Sequence, residues 1–305
     1  MSNNGGLMRI VEYHNANNMI VEFQDEFKMR TKTAWKEFNL GKVRNPIDKI
    51  RVGRTNINYQ GCPMVVVEYL SAHDVIVEFQ GDYPSKVHSD WKRFIKGSTR
   101  NPMFPAVYGV GIVGDKYTTM DGNVHTKEYK AWNHMLERCY SKVIRNGRNN
   151  TYIGCSVCDE WLYYPNFYEW LHSQPNFEKF INGEFWAIDK DIIQKGNKVY
   201  CPKLCCLVPP NVNSLFVKND ASRGEYLIGV SYNKNNNMLF AQCSNPLTNR
   251  NVKLGEFSNE YDAFLTYKKY KEKLIKEIAE IEYSKENISL KCYLGMKNYI
   301  VEDTD

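Results

Sequence analysis

The sequence predicts an α+β chain built from several small modules. Within the first third, one register recurs at a spacing of 56 residues. Runs rich in β-branched residues lead into short amphipathic helical stretches, once in each repeat and once more near the C-terminus. At 305 residues the chain also exceeds the size at which a single hydrophobic core usually stops growing.

Composition supplies the cores: 43% of residues are hydrophobic, with 21 Tyr, 14 Phe and 6 Trp. No window approaches eighteen apolar residues, and MSNNGGLMRI lacks a charged-then-apolar leader, so the chain reads as soluble, not secreted, and without membrane contact. Nine cysteines, odd in number and unevenly spread, argue for a reducing, cytoplasmic setting over a disulfide framework. The net charge of +5 permits nucleic-acid contact without demanding it. Most of the excess lies in residues 1–105, with 15 basic against 11 acidic groups, so steering of a charged partner is expected to start there.

The repeat aligns 5–46 with 61–102 without a gap. It matches Met8 with Met64, Glu12 with Glu68, Trp35 with Trp91, Phe38 with Phe94 and Gly41 with Gly97, and the tripeptide RNP ends both copies. Each copy reads as ββα, giving modules 1–58 and 59–105. MVVVEYLS and VIVEFQ are strands joined by the turn SAHD, and SDWKRFIKG is a helix capped by Ser89 and stopped by Gly97. Trp35 and Trp91 at helical spacing are expected to pack inward. Lys36, Arg44, Lys92, Arg93 and Arg100 are either phosphate contacts or a solvated helix face.

The middle module, 106–222, begins with YGVGIVGDKY, which lacks the Lys-Ser/Thr of a phosphate loop. EYKAWNHMLERCY follows, with Trp132, Met135, Leu136 and Cys139 on one helical face, and then a basic loop bearing Arg145 and Arg148. YIGCSVCDEWLYYPNFYEWL turns from a short strand into an aromatic helix, and AIDKDIIQKGNKVYCPKLCCLVPPNVN completes the module. In 223–283, GVSYNKNNNMLFAQCSNPLTNRNVKLGEF gives three short strands, and SNEYDAFLTYKKYKEKLIKEIAEI gives an amphipathic helix capped by Ser258. The tail 284–305 reads as a short strand for a partner chain or a loosely docked end.

The middle module resembles the HNH homing endonucleases common in bacteriophages. The likeness rests on Trp132, Met135, Arg138, Cys139 and Tyr140; on Val157, Cys158, Glu160 and Trp161; and on Asp189, Gly196, Asn197, Tyr200, Pro202, Cys205, Val208, Pro209 and Asn213. The 223–283 segment resembles the AP-two fold of ethylene-response factors, through Leu254, Gly255, Phe257, Ala263 and Tyr267. That resemblance implies a sheet in the DNA major groove, with contacts from Tyr232, Lys234, Gln242, Arg250 and Lys253.

The family's catalytic residues are missing at two places. Its Asp-His pair is Asp189-Lys190 here, and a later Asn aligns with Leu204. A lysine is a poor base for a hydrolytic water at neutral pH. Asp189 and Asp191 remain, as metal ligands if the centre were active or as exposed loop carboxylates. Cys155, Cys158, Cys201 and Cys205 offer four thiolates to a structural zinc, or are plain core residues. The expectation is a phage-type protein that binds nucleic acid through a catalytically silent HNH/AP-two frame. The alternatives are an inhibitor docking on a host antiphage nuclease complex of the Gabija type, and an active divergent endonuclease. The partners implied are DNA or a host defence protein, with self-association as a further option, in the host cytoplasm.

Overall fold

The computed structural model describes residues 6–25, 27–141, 152–183, 185–217 and 225–303, the side chains of 48 and 49 excepted. Arg145 and Arg148 of the basic loop lie outside them. The chain is mixed α and β, divided into two compact units, Met1–Phe104 and Pro105–Asp305.

The first unit holds two sheets. β1 (Met8–Asn15), β2 (Asn18–Phe23) and β3 (Arg30–Thr33) form an antiparallel meander followed by α1 (Trp35–Asn39). In the second copy β5 (Pro63–Ser71), β6 (Asp74–Phe79) and β7 (Ser85–Ser89) precede α2 (Trp91–Ile95), and β4 (Thr55–Ile57), ahead of the repeat, pairs with β5 at the edge of the same sheet, so the expected boundary at 58 falls inside that sheet. The 56-residue spacing is carried by the backbone. Register shifts at Ile10/Glu12 and Tyr13/Asn15 recur at Val66/Glu68 and Tyr69/Ser71. Met19, Val21 and Phe23 alternate into one core, and Val75, Val77 and Phe79 into the other, the period of a half-buried strand. Gly41 and Gly97 both follow their helix at positive φ, 66° and 67°, which a side chain at the C′ position resists.

Three local expectations are corrected. Each copy has a third strand, so the unit is βββα; Arg30–Thr33 is short and polar, and its pairing with β2 makes it a strand. Helix α2 is capped by Asp90, whose carboxylate accepts from the Arg93 N–H at 2.8 Å, while Ser89 bonds Thr99 through its hydroxyl. Trp35 is 46% exposed. Trp91 is half-buried, edge-on to Tyr69 and beneath the Arg51 guanidinium at 4.3 Å. Phe94, fully buried, takes the central place in that copy's core.

In the second unit, the hairpin of β8 (Met120–Asp121) and β9 (Val124–His125) leads into α3 (Lys127–Tyr140). β10 (Ser156–Val157), α4 (Asp159–Leu162), α5 (Tyr164–His172) and α6 (Phe177–Ile181) follow. Trp132, Met135, Trp161, Tyr164 and Phe167 fill a core among them, and the Trp132 indole N–H donates to the Trp161 carbonyl at 2.7 Å. Next come β11 (Ala187–Asp189), β12 (Val199–Tyr200), β13 (Cys206–Val208) and α7 (Pro210–Phe216).

The C-terminal part is an antiparallel sheet of β14 (Val230–Asn233), β15 (Met238–Asn245) and β16 (Arg250–Phe257). It is covered by α8 (Glu260–Ser284), which places Ala263, Phe264, Tyr267, Leu274, Ile275 and Ile278 in a second core. The cap of α8 is Asn259, accepting from the Tyr261 N–H at 2.8 Å, and not Ser258. The tail is a helix, α9 (Leu290–Lys297), capped by Ser289 and anchored by buried Ile288, Cys292, Met296 and Val301.

The expected boundary near 222 does not divide the cores. Along β13, Cys206 and Val208 face the core under α8, while Leu207 faces the core around α3. One strand thus serves both cores, because alternate side chains point to opposite faces. The thiols of Cys206 and Cys292 are hydrogen-bonded to each other, and this bond together with burial pushes the Cys206 pKa well up.

Candidate functional site

Helix α3 forms one wall of a cleft. Its cap, Thr126, accepts from the Tyr129 N–H at 3.3 Å, and its apolar face turns into the core. The opposite face carries Lys127, Lys130, His134 and Arg138 at intervals of three, four and four, which align side chains along one side of a helix. All four line a cleft of about 1310 Å³.

The facing wall is the turn after β11. Antiparallel pairing of Ala187, Ile188 and Asp189 with Val208, Leu207 and Cys206 fixes its entry. The Asp189 carboxylate accepts from the backbone N–H groups of Asp191 (2.7 Å) and Ile192 (2.8 Å). Burial nevertheless raises its pKa above the ordinary aspartate range. Asp189 is therefore a turn-forming carboxylate more than an exposed loop acid, while Asp191 is open to solvent and ion-paired.

Lys190 is only 7% exposed. Its ammonium donates to Asp191 Oδ2 (2.6 Å) and to the Asn197 carbonyl (3.0 Å). Asn197 answers with its amide, donating to the carbonyls of Lys190 (2.9 Å) and Val199 (2.7 Å) and accepting from the Val199 N–H (3.0 Å). The Gly-Asn motif thus ties off this turn. An amine whose hydrogens go to two acceptors is placed as a donor, not as a base. Leu204, a half-buried aliphatic, stands in the turn before β13.

Of the histidines near this module, His134 lines the cleft and is exposed. His125 bonds the Thr119 carbonyl at 3.1 Å. His172 meets Glu128 at 3.3 Å and stacks between Tyr168 and Phe177. Asn213, on α7, also reaches the cleft wall.

Among the described residues, no three His, Cys, Asp or Glu side chains are grouped to hold a metal ion. Cys158 and Cys201 are adjacent through the parallel pairing of Val157 with Tyr200, and the Cys205 N–H bonds the Cys201 carbonyl at 3.0 Å. Cys155, in the same core, is buried. Burial pushes the thiols of Cys158 and Cys205 up, so a metal seated there would have to displace those protons.

The five residues expected to read a major groove separate by face. Gln242 pairs across from Lys253 and, with Phe240 opposite Glu256, lies on the side of the sheet away from α8. Lys253 is paired to Glu256 at 2.5 Å, a contact that holds the Glu256 carboxyl below its usual range. Tyr232 pairs with Leu239, and Arg250 with Asn245. These two lie on the face of Ala241 and Cys243, so strand alternation keeps them off the surface of Gln242 and Lys253. Lys234 sits in the exposed turn after β14.

In the first unit, Lys36, Arg44, Lys92, Arg93 and Arg100 are all exposed, with Arg93 bridged to Asp90 at 3.2 Å. The duplication places Lys36 with Lys92, and Arg44 with Arg100, at equivalent positions of the two copies.

The cleft is the basic feature that sequence reading missed. It gathers Lys127, Lys130, Arg138, Lys190, Lys195 and Lys198 against Asp189, Asp191 and Glu302. Lys190 is matched by Asp191 and Lys195 by Glu302 (2.7 Å), and the lining still holds more Lys and Arg than Asp and Glu, with Lys127, Lys130 and Arg138 along α3. Lys127 also donates to the Ile181 carbonyl at 2.7 Å. Arg138 is held over the rings of Tyr152 (5.4 Å) and Tyr200 (5.6 Å), and among the described residues its buried Nε has no hydrogen-bond acceptor. A buried donor without an acceptor is costly, and the half-buried Arg138 side chain lines the cleft, where an anion can meet the rest of its guanidinium. Compared with family models, with curated proteins and with solved structures, the chain matches none.

Proposed function

We propose that this protein binds nucleic acid by its phosphate backbone in the cleft between α3 and the Asp189–Asn197 turn, and does not cut it. The observation that carries the reading is the line of Lys127, Lys130, His134 and Arg138 facing Lys198 across a concave surface. Phosphate neutralisation by Lys and Arg is the main source of sequence-independent affinity. The motifs that resemble those of HNH homing endonucleases support the same ligand class. The engagement of Lys190 with Asp191 and Asn197 supports binding without hydrolysis, since the residue at the base position is committed as a donor. The exposed sheet face with Gln242 and Lys253 is a second candidate contact to duplex.

Binding of a labelled oligonucleotide at 50 and 200 mM salt, alongside a plasmid-nicking assay with added divalent cations, tests both halves. Salt-sensitive binding without nicking is the expected result. Nicking that Asp189→Ala abolishes would overturn the non-cutting half, and absence of salt-sensitive binding would overturn the other.

The first unit favours a second reading, docking on a protein partner such as a host defence complex. It exposes Tyr13, Phe27, Trp35 and Tyr59, the aromatic type that anchors interfaces. A stoichiometric protein complex with no oligonucleotide affinity would select that reading.

A further inference from the structure

Positive charge alone does not distinguish a duplex from an unpaired strand, but the aromatic residues in the same cleft do. Phe185, on the approach to β11, lines the cleft and is 90% exposed. Leaving so large an apolar ring in water forfeits the gain from its burial, and nothing in the described fold covers it. The cleft's cations sit beside half-buried rings: Arg138 lies over Tyr152 at 5.4 Å, and Lys195 over Tyr299 at 5.1 Å. Phosphate-binding groups alternating with ring faces are the pattern that tracks a single strand, whose bases are free to stack on aromatic side chains. A duplex keeps its base faces inside its own stack and would offer Phe185 nothing to stack on.

Size points the same way. The cleft, at about 1310 Å³, is only somewhat larger than the roughly 300–1,000 Å³ of small-molecule pockets. It accommodates a short run of unpaired nucleotides. A duplex, whose major groove alone is about 12 Å wide, would rest across the mouth and leave Arg138 unreached.

We infer that the cleft takes an unpaired nucleic-acid strand, seating a phosphate on Arg138 and stacking a base on Phe185. This deepens the nucleic-acid reading and rests on it. The deep donor supplies charge and the rim ring supplies stacking, so affinity is tolerant of base identity.

The test uses the full chain and fluorescence anisotropy with one labelled strand, either alone or annealed to its complement. Phe185→Ala removes a solvent-exposed ring and leaves the cores intact, so a folded variant is assured. The single strand is expected to bind at least tenfold tighter than the duplex. Phe185→Ala is expected to weaken single-strand binding by roughly 5- to 150-fold, the range of one base stack removed, and to leave duplex binding unchanged. Equal or tighter binding of duplex, or a Phe185→Ala variant with unaltered single-strand affinity, would overturn the inference while leaving the nucleic-acid reading standing. Absence of affinity for both forms in the unmodified chain would remove that reading too.

Discussion

Asn197 and Lys190 hold each other through both backbone and side-chain atoms, and their turn fixes one wall of the cleft. Replacing Asn197 by Ala strands the Lys190 and Val199 carbonyls and the Val199 N–H. With each buried polar group left unpaired costing about 1–3 kcal/mol, denaturant titration should show a loss of at least about 2 kcal/mol in the second unit. A loss below about 0.5 kcal/mol would mean the turn is held elsewhere. Glu22 raises a pH question in the first unit. It is buried between β1 and β3, bonded by Arg30 (2.9 Å) and Arg9 (2.8 Å), and the Arg30 bond is the main reason its carboxyl titrates below the usual range. The folded state therefore binds this proton more weakly than the unfolded chain. Its contribution is present above the ordinary glutamate pKa and is lost as pH falls through the lowered value. Glu22→Gln should flatten the stability–pH curve of the first unit on its acid side, below the ordinary glutamate pKa; an unchanged curve would count against the assignment.

The duplicated helices diverge in how they use one tryptophan. Trp91 contacts Tyr69, Phe94 and Arg51, whereas Trp35 contacts Phe38 and solvent. Trp91→Ala should cost about 2–4 kcal/mol, somewhat below a full core truncation, and Trp35→Ala less than about 1 kcal/mol; equal losses would contradict the difference in packing. Helix α9 presses its backbone on the 190s turn. A Cβ at Gly295 would stand 2.5 Å from the Ile192 carbonyl oxygen and 3.0 Å from Ile193 Cα. Gly295→Ala should therefore destabilise the second unit by about 1–3 kcal/mol, with hydrogen exchange rising first in α9. Elements of this kind differ in how far the residues announce them. The strands around Val21 and Val77 were legible because β-branched residues alternate there. Arg30–Thr33 was not, since its strand character comes from pairing with β2. Tail residues 290–297 read as strand or loose end, and the Ser289 cap with Cys292 and Met296 four apart makes them a helix once a core is there to receive them.

At the scale of the molecule, the repeat was readable because two copies sit in one sequence and keep even their bulges in register. The fusion of the middle and C-terminal parts was not, because it depends on which core each alternate side chain of β13 enters. The candidate site was half legible. Lys127, Lys130, His134 and Arg138 follow helical spacing as clearly as the apolar face behind them, but their partner wall lies some fifty residues or more along the chain. Only long-range packing brings Lys190, Lys198 and Asn213 opposite them. The central claim is that these cations hold phosphates, and it is tested by the slope of log affinity for a labelled single strand against log salt, in the unmodified chain and in Lys130→Ala/Arg138→Gln. Each phosphate no longer neutralised should flatten the slope by about 0.7, so the double variant is predicted to give up roughly 1.4 of it together with affinity; a variant with the same slope and the same affinity would contradict the account.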